Sequence, residues 1–308
     1  MRLLVIAPPD FAPLEVLRRE APDVELVLGT EAEGLRAAAA QADAVLIAPR
    51  FGSVLAELWR EVAKVRWVHT LAAGVEFLPF DLLRGSGIVV TNSRGLYADA
   101  LGEFAVAAML WFAKDLRRLL LNQEIAEWEP YTVERLAGKT VGIIGYGGIG
   151  RAVGERAQAL GMRVVGVGRR QEAGEPGIDE VVSLADYVVL SAPLTPRTFR
   201  LMSRERIARM KPAGVFINIG RGKTVDEEAL VEALTARRIR GAALDVFEEE
   251  PLPPEHPLWR LENVLISPHT ADQTSDSHVR AMEFFLENLR RFRAGESLEN
   301  VVDPVEQY

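Results

Sequence analysis

The chain has 308 residues, 48% hydrophobic and 26% charged, which supports more than one compact core and excludes a disordered or fibrous protein. A net charge of −8 gives it no general attraction for nucleic acid or anionic membranes. With no cysteine, it has no disulfide, zinc–thiolate site, iron–sulfur cluster or cysteine nucleophile.

The first apolar run, residues 3–7, is too short for a signal-peptide core and reads as a buried strand. No stretch reaches the roughly 18 apolar residues of a membrane span, so a cytoplasmic protein is expected. Further strands are predicted at 24–28, 44–48, 66–70 and 88–91, with helices at 14–20, 34–42 and 54–62 between them. That alternation implies a parallel sheet covered on both faces. One long helix is predicted from 99 to about 128, with Asp99 as its N-cap and no proline or glycine after Gly102. A second alternating series follows, with strands at 140–145, 163–167, 187–191, 215–219, 241–244 and 264–267. Helices at 152–160, 203–210 and 226–236 lie between them, and a last helix at 275–293 runs back to the first domain.

Gly145-Tyr146-Gly147-Gly148-Ile149-Gly150 joins the strand at 140 to the helix after it. In that strand–turn–helix setting, Gly145 permits a tight turn, Gly147 lets backbone approach a pyrophosphate, and Gly150 lets helix pack on strand. Free N–H groups at the helix start, including those of Gly148 and Ile149, attract phosphates. The second strand then decides between dinucleotides. A carboxylate at its end accepts from an unmodified ribose 2′-hydroxyl, but here the strand ends Val167-Gly168-Arg169-Arg170. Arg169 and Arg170 suit a 2′-phosphate, so NADP is preferred over NAD, although both arginines also read as solvated loop charges.

Three segments stand just past later strand ends: Asn218-Ile219-Gly220-Arg221-Gly222, Asp245 through Glu250-Pro251, and Ser267-Pro268-His269-Thr270. Reduction of a 2-oxo acid needs a fixed cation for the carboxylate and ketone, and a proton donor of near-neutral pKa at the ketone oxygen. A carboxylate behind that donor fixes its tautomer and favours its charged form. Arg221, His269 and Glu250 supply this set.

These motifs make the chain similar, along nearly its whole length, to the D-isomer-specific 2-hydroxyacid dehydrogenases. In that family an arginine follows an N-x-G turn, a glutamate precedes a proline after L-D-V-F, and a histidine sits in a P-H pair. The resemblance implies two doubly wound α/β domains, a Rossmann-type cofactor domain at 99–285 inserted in a flavodoxin-like substrate domain at 1–98 plus 286–308. It also implies that Pro193 and Thr198 line the cofactor, that Asp245 contacts the nicotinamide amide, and that Ala73, Gly74 and Val75 offer N–H groups to the substrate carboxylate. Family members are typically homodimers built around the helix near Asp99. Within the family, Arg94 to Ala98, the Trp128 segment and the arginines after the second strand resemble glyoxylate/hydroxypyruvate reductases.

Roles for His69, Arg94 and Tyr97 stay open between substrate contact and support of the fold, while His256 and His278 read as structural or solvated. No H-E-x-x-H or clustered ligand set indicates a metal. A non-enzymatic dinucleotide sensor, and an enzyme of the same fold acting on formate or phosphite, are alternatives that the motifs leave open.

Overall fold

A computed structural model of the chain describes residues 1–169 and 176–307. The elements begin β1 (Arg2–Ile6), α1 (Leu14–Glu20), β2 (Glu25–Gly29), α2 (Ala32–Ala39), β3 (Ala44–Ile47), α3 (Gly52–Glu57), β4 (Trp67–Thr70), α4 (Phe80–Leu83) and β5 (Val89–Asn92). They continue α5 (Ala98–Ala113), α6 (Leu116–Glu124), β6 (Thr140–Ile144), α7 (Gly148–Ala159), β7 (Arg163–Val167), α8 (Ile178–Leu184) and β8 (Tyr187–Leu190). The remainder is α9 (Arg204–Ala208), β9 (Val215–Asn218), α10 (Glu227–Thr235), β10 (Gly241–Leu244), β11 (Val264–Ile266) and α11 (Ser277–Ala294), with 3-10 turns at Gly222–Thr224 and Pro257–Arg260.

The chain forms two compact units, one of Met1–Leu96 with Thr274–Tyr308 and one of Tyr97–Gln273. In the first, five parallel strands run β2-β1-β3-β4-β5, the flavodoxin-like order. Leu3, Leu4, Val5 and Ile6 are all fully buried, as expected of strands covered on both faces. The chain re-enters this unit at 274, ahead of the predicted 286. The reason is side-chain packing: Phe285 stacks on Trp67 with ring centroids 5.2 Å apart, and Asn288 exchanges two hydrogen bonds with Glu299. The whole of α11 therefore belongs to the first unit.

The second unit holds six parallel strands in the order β11-β10-β9-β8-β6-β7. Strand order reverses at β6, and the crevice at such a reversal is where open α/β sheets bind ligands. The sheet is Rossmann-like; among the described residues β7 lies at its edge, where the six-stranded Rossmann order 3-2-1-4-5-6 has one further strand before the reversal.

Several elements depart from the sequence reading, among them the short helix α4, which it did not contain. The single helix predicted from 99 to 128 is two helices, because Asp115 turns left-handed at φ 48° between α5 and α6. Tertiary partners satisfy the backbone groups freed there: the Tyr131 hydroxyl donates to the Asp115 carbonyl at 3.0 Å, and the Glu134 N–H donates to the Ala113 carbonyl at 2.8 Å. No glycine or proline marks that break. Helix α8 was not predicted; its Val181 and Val182 are fully buried, and a Cβ at Gly142 of β6 would come within 2.6 Å of Val181.

His69 of β4 is fully buried among Trp67, Phe284 and Phe285, and its Nδ1 lies 2.7 Å from the Thr91 hydroxyl. Burial pushes its pKa down to about 3, so the ring is neutral and serves the core of the first unit. Arg94 bonds to the Asn300 side chain and the Val301 carbonyl, both at 3.4 Å, and so ties its loop to the C-terminal segment of the same unit. Tyr97, half-buried, packs against the core of the second unit.

Candidate active site

The glycine loop leaves β6 at the strand-order reversal. Gly145 has φ +97°, and a Cβ there would also lie 2.6 Å from the Ala192 nitrogen, so both the turn and the close approach to β8 require glycine. A Cβ at Gly150 would come 2.5 Å from the Gly145 carbonyl, which seats α7 on the loop. Side chains at Gly147 and Gly148 would meet nothing within 4 Å. The first intrahelical bond runs from the Arg151 N–H to the Gly147 carbonyl at 2.9 Å, so the N–H groups of Gly148, Ile149 and Gly150 form the open first turn of α7. Open space above bare backbone, at a helix N-terminus, fits a dinucleotide pyrophosphate.

Gly168 and exposed Arg169 follow β7, while Arg170 lies outside the described residues. Past β8, the Thr198 hydroxyl donates to the Pro193 carbonyl at 2.5 Å and accepts from the Thr195 N–H at 2.7 Å. Its first job is to fix the loop at 193–198 that borders the glycine turn.

Past β9, the Asn218 side chain closes the next turn: Oδ1 accepts from the Gly220 N–H at 3.0 Å and Nδ2 donates to the Arg221 carbonyl at 3.2 Å. Arg221 is half-buried, and one guanidinium nitrogen donates to the Gly220 carbonyl at 2.8 Å. Asp245 ends β10 with only 1% exposure. Its carboxylate accepts from the Ser267 hydroxyl (2.6 Å) and the N–H groups of Thr270 (2.9 Å) and Ala271 (3.1 Å), while its carbonyl accepts from the His269 N–H at 2.9 Å. These bonds hold His269 at φ 54°, a left-handed conformation that a non-glycine residue keeps only where its surroundings over-determine it.

His269 Nδ1 lies 2.7 Å from Glu250 Oε2, and the other carboxylate oxygen of Glu250 accepts the Phe247 N–H at 3.0 Å. With Nδ1–H given to Glu250, Nε2 is the nitrogen left to exchange a proton. The hydrogen bond to Glu250 raises the His269 pKa; partial burial and the Arg221 charge oppose it, and the charges of Glu250 and Asp245 add to it. Burial pushes the Glu250 carboxyl up, but the bonds from His269 and Phe247 and the charges of His269 and Arg221 outweigh it and leave the group below its usual range. Asp245 is raised chiefly by burial, against its three hydrogen bonds.

The three residues read from the sequence as a catalytic set thus stand past adjacent strands of one sheet, with Arg221 close enough to act on both members of the pair. Gly222 closes the Arg221 segment in the sequence, which gives it no role of its own. A Cβ there would lie 1.8 Å from the Phe247 carbonyl, so the Arg221 turn and the loop bearing Glu250 touch backbone to backbone. Nothing in the local sequence marks that contact. In the first unit, Ala73, Gly74 and Val75 form the loop after β4, and the Ala73 carbonyl accepts from the Asn92 side chain at 2.6 Å.

Residues 106–271 match the family model for "D-isomer specific 2-hydroxyacid dehydrogenase, NAD binding domain". The chain belongs to this family. As a D-isomer specific 2-hydroxyacid dehydrogenase family member, it is 35% identical to a glyoxylate reductase of Korarchaeum cryptofilum over 80% of its own length and 79% of the relative's. It is 32% identical over 98% of its length to a D-3-phosphoglycerate dehydrogenase of Methanocaldococcus jannaschii, of which it spans 59%. Among solved structures, a family member from Xanthobacter autotrophicus Py2 in complex with NADPH and MES superposes with a TM-score of 0.84 at 29% identity, over 100% of this chain and 99% of that one.

The contact with Glu250 favours the charged form of His269. For proton donation by His269, reductive turnover is expected to be full below the His269 pKa and lost as pH rises through it. Glu250→Gln removes the partner that raises that pKa. The basic limb of the reductive kcat profile is expected to move to lower pH, and an unmoved limb in a steady-state pH series would refute the role given to Glu250.

Proposed function

We propose that the protein is a reductase of a small 2-oxo acid such as glyoxylate or hydroxypyruvate, with NADPH preferred over NADH. One observation carries this reading: His269 held on Glu250 at 2.7 Å, beside the Arg221 turn and on the same sheet edge as the glycine loop. The bound nicotinamide supplies hydride to the ketone carbon. His269 Nε2 gives its proton to the ketone oxygen, and Glu250 stabilises the imidazolium until it does so. The Arg221 guanidinium pairs with the substrate carboxylate. Asp245 is assigned to the nicotinamide amide, and its bonds to the His269 turn keep donor and cofactor in register.

The glyoxylate reductase relative supports the substrate class, and the NADPH-bound family structure supports the cofactor. Cofactor preference rests further on Gly168 and Arg169, with Arg170 assigned to the same 2′-phosphate. A homodimer in the cytoplasm completes the proposal; Leu119, Leu120, Leu121 and Ile125 of the α6 region are exposed and suit burial against a second copy.

The test is oxidation of NADPH and of NADH against a panel of 2-oxo acids. Charge-assisted bonds to a 2′-phosphate are expected to give about a hundredfold higher kcat/KM with NADPH. Equal values for the two cofactors would overturn the preference. Tight cofactor binding with negligible turnover on every acid would favour the dinucleotide sensor instead.

A further inference from the structure

Beside the His269–Glu250 pair lies a second histidine–glutamate contact that the reaction does not use. Glu227 opens α10 a few residues after the Arg221 turn, and its side chain is only 13% exposed. Its Oε2 accepts the Glu248 N–H at 3.0 Å, and its Oε1 lies 3.4 Å from His256 Nε2. His256 Nδ1 accepts the Leu258 N–H at 3.4 Å, which leaves Nε2 as the protonated nitrogen facing Glu227. The bonded Glu248 N–H follows directly after Phe247, whose own N–H holds Glu250. Phe247 in turn abuts Gly222.

We infer that Glu227, backed by His256, is a positioning residue for the Glu250–His269 pair. The loop that carries Glu250 leaves β10 without regular structure, so something outside it must fix its height above the sheet edge. Glu227 grips the loop at Glu248 from below, on the helix that begins where the Arg221 turn ends. One side chain therefore ties the placement of Glu250 to that of Arg221. A largely buried carboxylate in that place is costly unless both oxygens are occupied, and burial, with the neighbouring charges of Glu248 and Glu250, does push Glu227 up. The two partners offset that cost.

The inference rests on the role of Glu250 in the proposed function, so its test is read on the protein without substrate. The chain has four histidines. With imidazole nitrogens labelled, His269 is followed by NMR against pH; His69 is buried and neutral, and His278 is exposed. Glu227→Ala frees the Glu248 N–H and lets Glu250 move away from His269, so the His269 midpoint is expected to fall. Glu227→Gln keeps an acceptor for that N–H but loses the one facing His256, so its midpoint is expected to fall only part of the way. His256→Asn loosens Glu227 without touching the loop and is expected to lower the midpoint part of the way. In turnover, Glu227→Ala is expected to lower kcat about tenfold with the cofactor KM unchanged, as misplacement of a reacting group does. An unchanged His269 midpoint in folded Glu227→Ala, or a fall in Glu227→Gln as large as in Glu227→Ala, would overturn the inference. Should Glu227→Ala not fold, an unmoved midpoint in His256→Asn would do the same. Absence of turnover in the parent protein would count against the proposed function alone, because the titration is read without substrate.

Discussion

Replacing His269 by alanine is expected to lower kcat for reduction by about a hundredfold to ten-thousandfold, the range that a positioned general acid contributes. No other described group takes over its place easily: Asp245 has its carboxylate engaged by the Ser267 hydroxyl and two backbone N–H groups, and Glu250 faces Phe247. Cofactor affinity is expected to hold, because the Gly145–Gly150 loop belongs to β6 and α7, several strands from β11. Stability is expected to hold as well, since the His269 side chain is 39% exposed and its removal opens no core cavity. The basic limb of the pH profile should vanish with the ring. Rapid-mix and steady-state kinetics, with cofactor titration by fluorescence, separate these effects; a variant with near-normal kcat would remove His269 from the mechanism.

Arg221 is expected to answer differently to two substitutions. Lysine keeps the charge but loses the planar fork, whose other side is fixed by the bond to the Gly220 carbonyl. With one charge-assisted bond of the pair lost, at about 1.5–3 kcal/mol, kcat/KM for the 2-oxo acid should fall about 10- to 100-fold, mostly in KM. Arg221→Ala should fall further. The charge has a second effect: Arg221 depresses the His269 pKa. Its removal in Arg221→Ala therefore raises that pKa and carries the basic limb to higher pH, opposite in sign to Glu250→Gln, whereas Arg221→Lys leaves the limb in place. Equal limbs in Arg221→Ala and the parent would refute this coupling.

Much of the site was legible because its parts obey local rules. A glycine loop between strand and helix carries its own geometry, and polar residues just past apolar runs mark the ligand edge of a parallel sheet. Where the reading slipped, distant residues decided. Tyr131 and Glu134 break the helix at Asp115, and Phe285 on Trp67 claims α11 for the first unit. Val181 and Val182, residues of strand preference, lie in a helix because Gly142 leaves room beneath it. His69, read as open to either role, turned out to be core, since its strand is buried on both faces.

By itself the sequence determined two parallel α/β sheets, the dinucleotide loop, and the residue types past each strand end, because periodicity, glycine chemistry and strand ends are local. Only the tertiary structure decided how those strand ends work together. It placed Glu250 on His269, set Asp245 to hold the His269 turn, packed Gly222 on Phe247, and brought Glu227 under Glu248. Each of these is a contact between segments separated in sequence, fixed by strand order and by backbone approach.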